Sequence, residues 1–227
     1  MSFPEDALEI ARAAMEDVNP KLVEPFTTVV SFLKDNPDYA PKDSKKAPLG
    51  SPEYIGKLAK KFSDGRAPKQ LKAPKTVQDP IISVILQSHG NYTPDELQKL
   101  RKEHELAMAA ENLTGDLLED YIASKAEPNG WVQCSGYTAK RVDFIKRADD
   151  GSNWTKLQVK NRDNSENSSS RSVRDGKSIQ KWHRTHAKKE GSNWHKFPDE
   201  QLTQQMSEED FLDYVAQRTS SSKNPID

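Results

Sequence analysis

Residues 142–160 confine this chain more tightly than any other stretch. Segments 142–146 and 154–160 carry the branched and aromatic side chains that suit a pleated, half-buried surface. Between them stand Asp149, Asp150, Gly151 and Ser152, which tolerate the backbone angles of a tight reversal. The stretch therefore reads as an antiparallel hairpin. Side chains alternate along a strand, so Asp143 and Ile145 are expected on one face and Val142 and Phe144 on the other. By the same rule Gln158 and Lys160 share a face, opposite Leu157 and Val159.

A hairpin that holds Asp143 near Gln158 and Lys160 gathers a carboxylate, an amide oxygen and an ammonium. Those are the groups that a Mg²⁺ site for phosphodiester hydrolysis uses. Asp143 would be the central metal ligand, Gln158 would offer its carbonyl oxygen, and the backbone carbonyl of Val159 would add another. Lys160 would orient or deprotonate the attacking water, or neutralise the phosphate. Glu119 would restore the negative charge that a Gln lacks. It lies on an upstream helical segment whose apolar stripe is Leu113, Leu117, Leu118, Tyr121 and Ile122. On pattern alone Glu119 reads equally as a solvated helix acid, and that is the preferred reading for Asp116, Asp120 and Glu127. The spacing of Asp, Gln and Lys arises readily by chance in a Lys-rich chain; the surrounding hairpin gives it weight.

Directly after the second strand, residues 161–170 hold almost no apolar side chain and cannot be core. Arg162, Asn164, Asn167, Arg171, Arg174 and Lys177 are the types that read base edges, since Arg pairs bidentately with guanine and Asn with adenine. Ser165, Ser168 and Ser169 suit phosphates or bases, and Lys181, His183 and Arg184 extend the same DNA-binding set. The competing reading is a disordered Ser/Asn loop. His183, His186 and His195 lack the Cys or general-base Glu that would point to zinc, so phosphate contact or packing is the expected role. Residues 178–188 are expected to form a helix anchored by Trp182.

Charge is uneven along the chain. Residues 41–75 hold 10 Lys/Arg against 3 Asp/Glu, and residues 140–196 hold 15 against 7, although the net charge of the whole is −1. Two basic blocks among acidic ones suit a polyanionic partner, or simply two solvated faces. Mean hydropathy is −0.91, with 30% charged residues, so much of the chain is surface. The single cysteine, Cys134, excludes an internal disulfide and a Cys-rich zinc module. An acidic beginning and the lack of any long apolar run predict a soluble, cytoplasmic protein without membrane contact.

Upstream, residues 4–18 and 22–33 have helical periodicity. Residues 36–75, with six prolines, predict an irregular arm or small helical insertion lying against a partner, with 54–62 its one amphipathic helix; a mobile linker is the alternative. Residues 81–86 are too short an apolar run to assign. Thr93-Pro94-Asp95-Glu96 is a capping box that opens a helix to about Ala110, continuing through 111–125 after a break near Gly115. Residues 131–134 read as a strand, and Ser207 caps a last amphipathic helix. Residues 1–110 thus form a mainly helical region and 111–227 a catalytic and DNA-recognition region, together one compact domain.

These motifs resemble the SinI/AvaII-type family of type II restriction endonucleases, a branch of the PD-(D/E)xK nucleases. The match rests on Glu119 within GDLLEDYI, Asp143 within VDFI, and Gln158-Val159-Lys160 running into NRDNSENSSS, then SVRDG, SIQKWHRT and NW, over about residues 108–197. The resemblance implies an α/β fold with a mixed sheet flanked by helices. It also implies Mg²⁺-dependent double-strand cleavage at GGWCC, leaving 5′-phosphate ends, by a homodimer on double-stranded DNA. A cognate DNA methyltransferase would act in the same restriction–modification system without binding the chain. By motif position it assigns Asp143, Gln158 and Lys160 to the catalytic core and Glu119 to a supporting acid. Val142 stands where the wider superfamily commonly has Pro, and Gln158 where it has Asp or Glu; a neutral ligand weakens a second cation site. A non-catalytic DNA-binding protein and a structure-specific repair nuclease on the same core are the alternatives.

Overall fold

The computed structural model describes residues 2–72, 77, 79–163 and 179–220. Five helices come first: α1 (Ala7–Val18), α2 (Val23–Asp35), α3 (Pro52–Gly65), α4 (Pro80–Gly90) and α5 (Pro94–Ala126). The strands β1 (Trp131–Gln133), β2 (Phe144–Arg147), β3 (Trp154–Arg162) and β4 (Gln180–Thr185) follow, and α6 (Glu200–Thr203) and α7 (Glu208–Ser220) close the chain. The sheet has the order β1-β2-β3-β4, antiparallel between the first three and parallel between β3 and β4. It is a mixed sheet flanked by helices, as expected.

Helices pack on both sides of the sheet, and alternation sorts the side chains. Val132, Val142 and Ile145 join Met15, Phe26, Val29, Leu33, Ile55, Leu58 and Phe62 in a core built with α1–α3. Trp131, Phe144, Leu157, Val159 and Trp182 join Leu118, Tyr121, Ile122, Trp194 and Phe211 in a second core with α5 and α7. The two GSNW turns anchor the sheet to opposite layers: Trp154 donates to Asp35 at 2.9 Å, and Trp194 donates to Glu208 at 2.9 Å.

Four expectations change. Residues 36–65 are no arm: Tyr39, Ala40, Ala47, Tyr54, Ile55, Leu58, Ala59 and Phe62 are core, while Lys57, Lys60 and Lys61 occupy the exposed positions of α3. Ser51, with Pro52 behind it, caps that helix by accepting the N–H of Tyr54 at 3.2 Å. Residues 81–86 lie within α4, whose N-cap Asp79 accepts the N–H of Ile81 at 3.0 Å.

Helix α5 runs unbroken past residues 110, 111 and Gly115. One glycine costs about 1 kcal/mol in a helix interior, less than the burial of Leu117, Leu118, Tyr121 and Ile122 just beyond it returns. Finally, residues 180–185 form strand β4 instead of a helix. Trp182 is buried beside its register partner Val159, and the parallel ladder with β3 satisfies the backbone.

The chain leaves a large apolar surface on one limb. None of α4 is buried, and Ile81, Ile82, Val84 and Ile85 are 57, 42, 57 and 57% exposed. A cavity of about 540 Å³ lies between α4 and the first half of α5, lined in part by Ile82, Leu86, Leu97, Leu100 and Met108. No helix among the described residues is long and apolar enough to cross a membrane.

Candidate active site

A β-bulge shapes the site. In the hairpin register Phe144 lies opposite Leu157, yet the Leu157 carbonyl also accepts the N–H of Asp143 at 2.9 Å. Two consecutive residues thus share one partner, which interrupts alternation and re-aims the side chain at the irregularity. Val142 consequently packs in the same core as Ile145, and not with Phe144 as strict alternation predicts. Asp143 turns its carboxylate to the neighbouring strand, where Oδ2 accepts the N–H of Val159 at 2.7 Å.

Glu119 approaches Asp143 from α5, and Asp120 follows it on the same helix. Burial lifts the Glu119 carboxyl from its ordinary 4.5 to about 7, the nearby Asp143 charge adds to the rise, and a hydrogen bond from the Gln133 side chain offsets part of it. Burial raises Asp120 as well, against the pull of Lys69, and Gln133 bonds this acid too. Asp143 is raised by burial, opposed by the Val159 N–H and by the Lys160 ammonium. Two half-buried acids, Glu119 under the influence of the Asp143 charge, thus stand with a lysine at the rim, a set of groups suited to a hard cation.

The structure brings Glu119, Asp143, Val159 and Lys160 together. Gln158 is half-buried and takes its place on the Lys160 face by register. Along that face Gln158 pairs with Lys181, Lys160 with His183, and Arg162 with Thr185, giving a polar, basic surface beside the acids. Arg184 lies elsewhere: it bonds Asn161 at 3.0 Å, is ion-paired with Glu208 on α7, and stacks over Phe211. Asn164, Ser165, Asn167, Ser168, Ser169, Arg171, Arg174 and Lys177 lie outside the described residues.

Gln133 and Asp120 are the residues that sequence reasoning missed. Gln133 is buried in β1, its N–H donates to Glu127 at 3.3 Å and its carbonyl accepts from Arg66 at 3.2 Å. Arg66 also grips Glu127 bidentately at 3.0 and 2.5 Å and bonds Ser135 at 3.2 Å. This grip is possible because Gly136, at φ +67°, lets the loop after β1 lie against the Lys61 carbonyl, where any side chain would collide. The signal available in the sequence was one amide inside the otherwise apolar run Trp131-Val132-Gln133-Cys134.

The SinI restriction endonuclease model matches residues 7–221. The chain belongs to that family. It is 42% identical over 217 residues to the type II restriction enzyme Eco47I of Escherichia coli, covering 94% of each chain. It is 41% identical over 216 residues to the type II restriction enzyme SinI of Salmonella infantis, again covering 94% of each. For this member of the SinI family, the match extends across the N-terminal helices, well beyond the hairpin at residues 142–160.

Proposed function

We propose that this family member is a Mg²⁺-dependent type II restriction endonuclease of the PD-(D/E)xK kind, cutting both strands of DNA at GGWCC and leaving 5′-phosphate ends. The observation that carries the reading is the approach of two half-buried acids, with burial and the Asp143 charge raising Glu119 and with Lys160 beside Asp143 at the rim. Asp143, Glu119, the Gln158 amide oxygen and the Val159 carbonyl would hold Mg²⁺. The ion, when bound, lowers the pKa of the attacking water and neutralises charge building on the phosphate.

The chain's own groups do the rest. Lys160 is exposed and keeps its ammonium beside the acids, positioned to meet a phosphate oxygen or the water. Gln133 holds Glu119 and Asp120 in place by bonding both. Arg162 and Lys181 extend the basic face along which a backbone would lie, and residues 164–177 supply the base-reading side chains.

The enzyme acts as a homodimer in the cytoplasm. A near-palindromic site presents two strands of opposite polarity, and one such centre per chain calls for two copies about a two-fold axis. The α4–α5 limb is the surface suited to that role: its apolar face carries no charge from Pro80 to Ser88, which favours self-association over a charged partner. Digestion of a plasmid of known sequence with Mg²⁺, followed by sequencing of the ends, tests activity, site and stagger together. A site other than GGWCC would overturn the specificity, and absence of cleavage with Mg²⁺ or Mn²⁺ would favour a DNA-binding protein.

A further inference from the structure

A second cluster stands beyond the catalytic acids. Asp163 follows β3, while His183 lies in β4 and His186 just after it, so the carboxyl-terminal ends of the parallel pair bring all three together. One ligand atom from each lies within 4.8 Å of the others. His186 Nδ1 is 3.4 Å from Asp163 Oδ2, a long contact, and the two imidazole rings meet edge to face at 5.2 Å. The second Asp163 oxygen accepts the N–H of Ala187, which fixes the carboxylate. His183 Nε2 is buried and has no hydrogen-bond partner among the described residues.

A buried imidazole nitrogen without a partner is costly, and groups left so in a folded protein call for a missing ligand. We infer that Asp163, His183 and His186 bind a borderline divalent transition metal of the Zn²⁺ class, which braces the ends of β3 and β4. Two imidazoles and one carboxylate are the donors such ions prefer, whereas Mg²⁺ favours oxygen alone. Ligand atoms around a tetrahedral ion stand about 3.3 Å apart, so the triad closes with small side-chain rotations. The Asp163 and His186 side chains are 36 and 28% exposed, which leaves a remaining coordination position open to water.

The location gives the brace a purpose. Asp163 is the last described residue before the tract 164–178, and β4 begins just after it. An ion holding Asp163 to His186 would fix the point from which the chain departs β3 against the end of β4. The helical reading of this region hid the triad, because Asp163 joins the two histidines only once β4 lies parallel to β3.

The inference is independent of catalysis by Asp143 and Lys160, and so is its test. The full chain, stripped of metal with a chelator, is titrated with Co²⁺ alone while visible d–d absorption and thermal melting are followed. A one-to-one band with a rise in melting temperature is expected, and Zn²⁺ should displace it. His186→Ala or Asp163→Asn should weaken binding about tenfold or more, whereas Asp143→Asn should leave the band unchanged. His186→Cys should add a thiolate-to-Co²⁺ charge-transfer band, a positive signature that does not depend on a loss. Absence of the band, its persistence at full strength in His186→Ala, or its loss in Asp143→Asn would overturn the proposal. Failure of Mg²⁺-dependent cleavage would leave it standing.

Discussion

The carboxylate of Asp143 accepts the N–H of Val159 at 2.7 Å, so the acid at the centre of the site is fastened to the strand that carries Gln158 and Lys160. The bulge at the start of β2 makes this contact, and register then sets the Lys160 face. Hairpin geometry, more than residue spacing, thus fixes the relation between carboxylate and ammonium.

Lys160→Ala is expected to lower cleavage by about 10²–10³-fold or more, as loss of a charge-stabilising donor does. Lys160 is exposed, so the melting temperature should stay within about 2 °C of the parent. Asp143→Ala should be equally inactive. Plasmid cleavage with Mg²⁺ beside thermal melts reads both; unimpaired cutting by either variant would remove that residue from the mechanism.

Glu119 makes the metal-free protein pH-sensitive. Its carboxyl is raised by burial and by Asp143 from 4.5 to about 7, so the folded state keeps the proton longer than the unfolded chain does. The corresponding stability is fully present below about pH 4.5 and is lost as pH rises through about 7. Glu119→Gln, neutral throughout, should therefore melt higher than the parent at about pH 8 and alike at about pH 4.5, while cutting poorly. Mg²⁺ should stabilise the parent at the higher pH and leave the variant unmoved. A variant less stable than the parent at the higher pH would contradict the sign.

Arg66 joins the end of α3 to Glu127 and the β1 backbone. Arg66→Ala leaves Glu127 partly buried without its partner and should cost about 2–3 kcal/mol in urea unfolding. Arg66→Lys should recover little, because one ammonium cannot reproduce the bidentate fork. Full stability in Arg66→Ala would show that the α3 contact is incidental.

Joint substitution of Ile82 and Ile85 by Glu places charge on the exposed face of α4. If the proposed dimer forms through this face, light scattering should report a dimer for the parent and a monomer for the variant, and cleavage of supercoiled plasmid by the variant should accumulate nicked circles. An unchanged dimer would move the interface elsewhere.

The hairpin was legible in the sequence because its turn chemistry and its branched segments agree, and the caps at Thr93 and Ser207 marked helix starts for the same local reason. β4 was not. Ile179 and Trp182 stand three apart, which fits one helical face, and only the parallel ladder beside Val159 decides for a strand. The 36–65 segment misled through its prolines, whose turns in fact deliver Tyr39, Tyr54 and Phe62 to the core. In the candidate site, Asp143 and Lys160 could be picked from pattern and Glu119 only as an even choice against a solvated helix acid, while Gln133 and Asp120 depend on how α5 crosses β1. The bulge at Asp143 leaves no local trace.

Helix α5 carries Glu119 in its C-terminal third and Leu100, beside α4, in its first half. Nineteen residues of unbroken helix make that separation about 28 Å. For two copies joined at the α4–α5 surface, the helix is a ruler: the gap between the two scission points becomes a dimension of the protein. Removing one turn would shorten each arm by about 5.4 Å, more than a base-pair step. The length of the single-stranded end left on the DNA would then be written in the length of a helix.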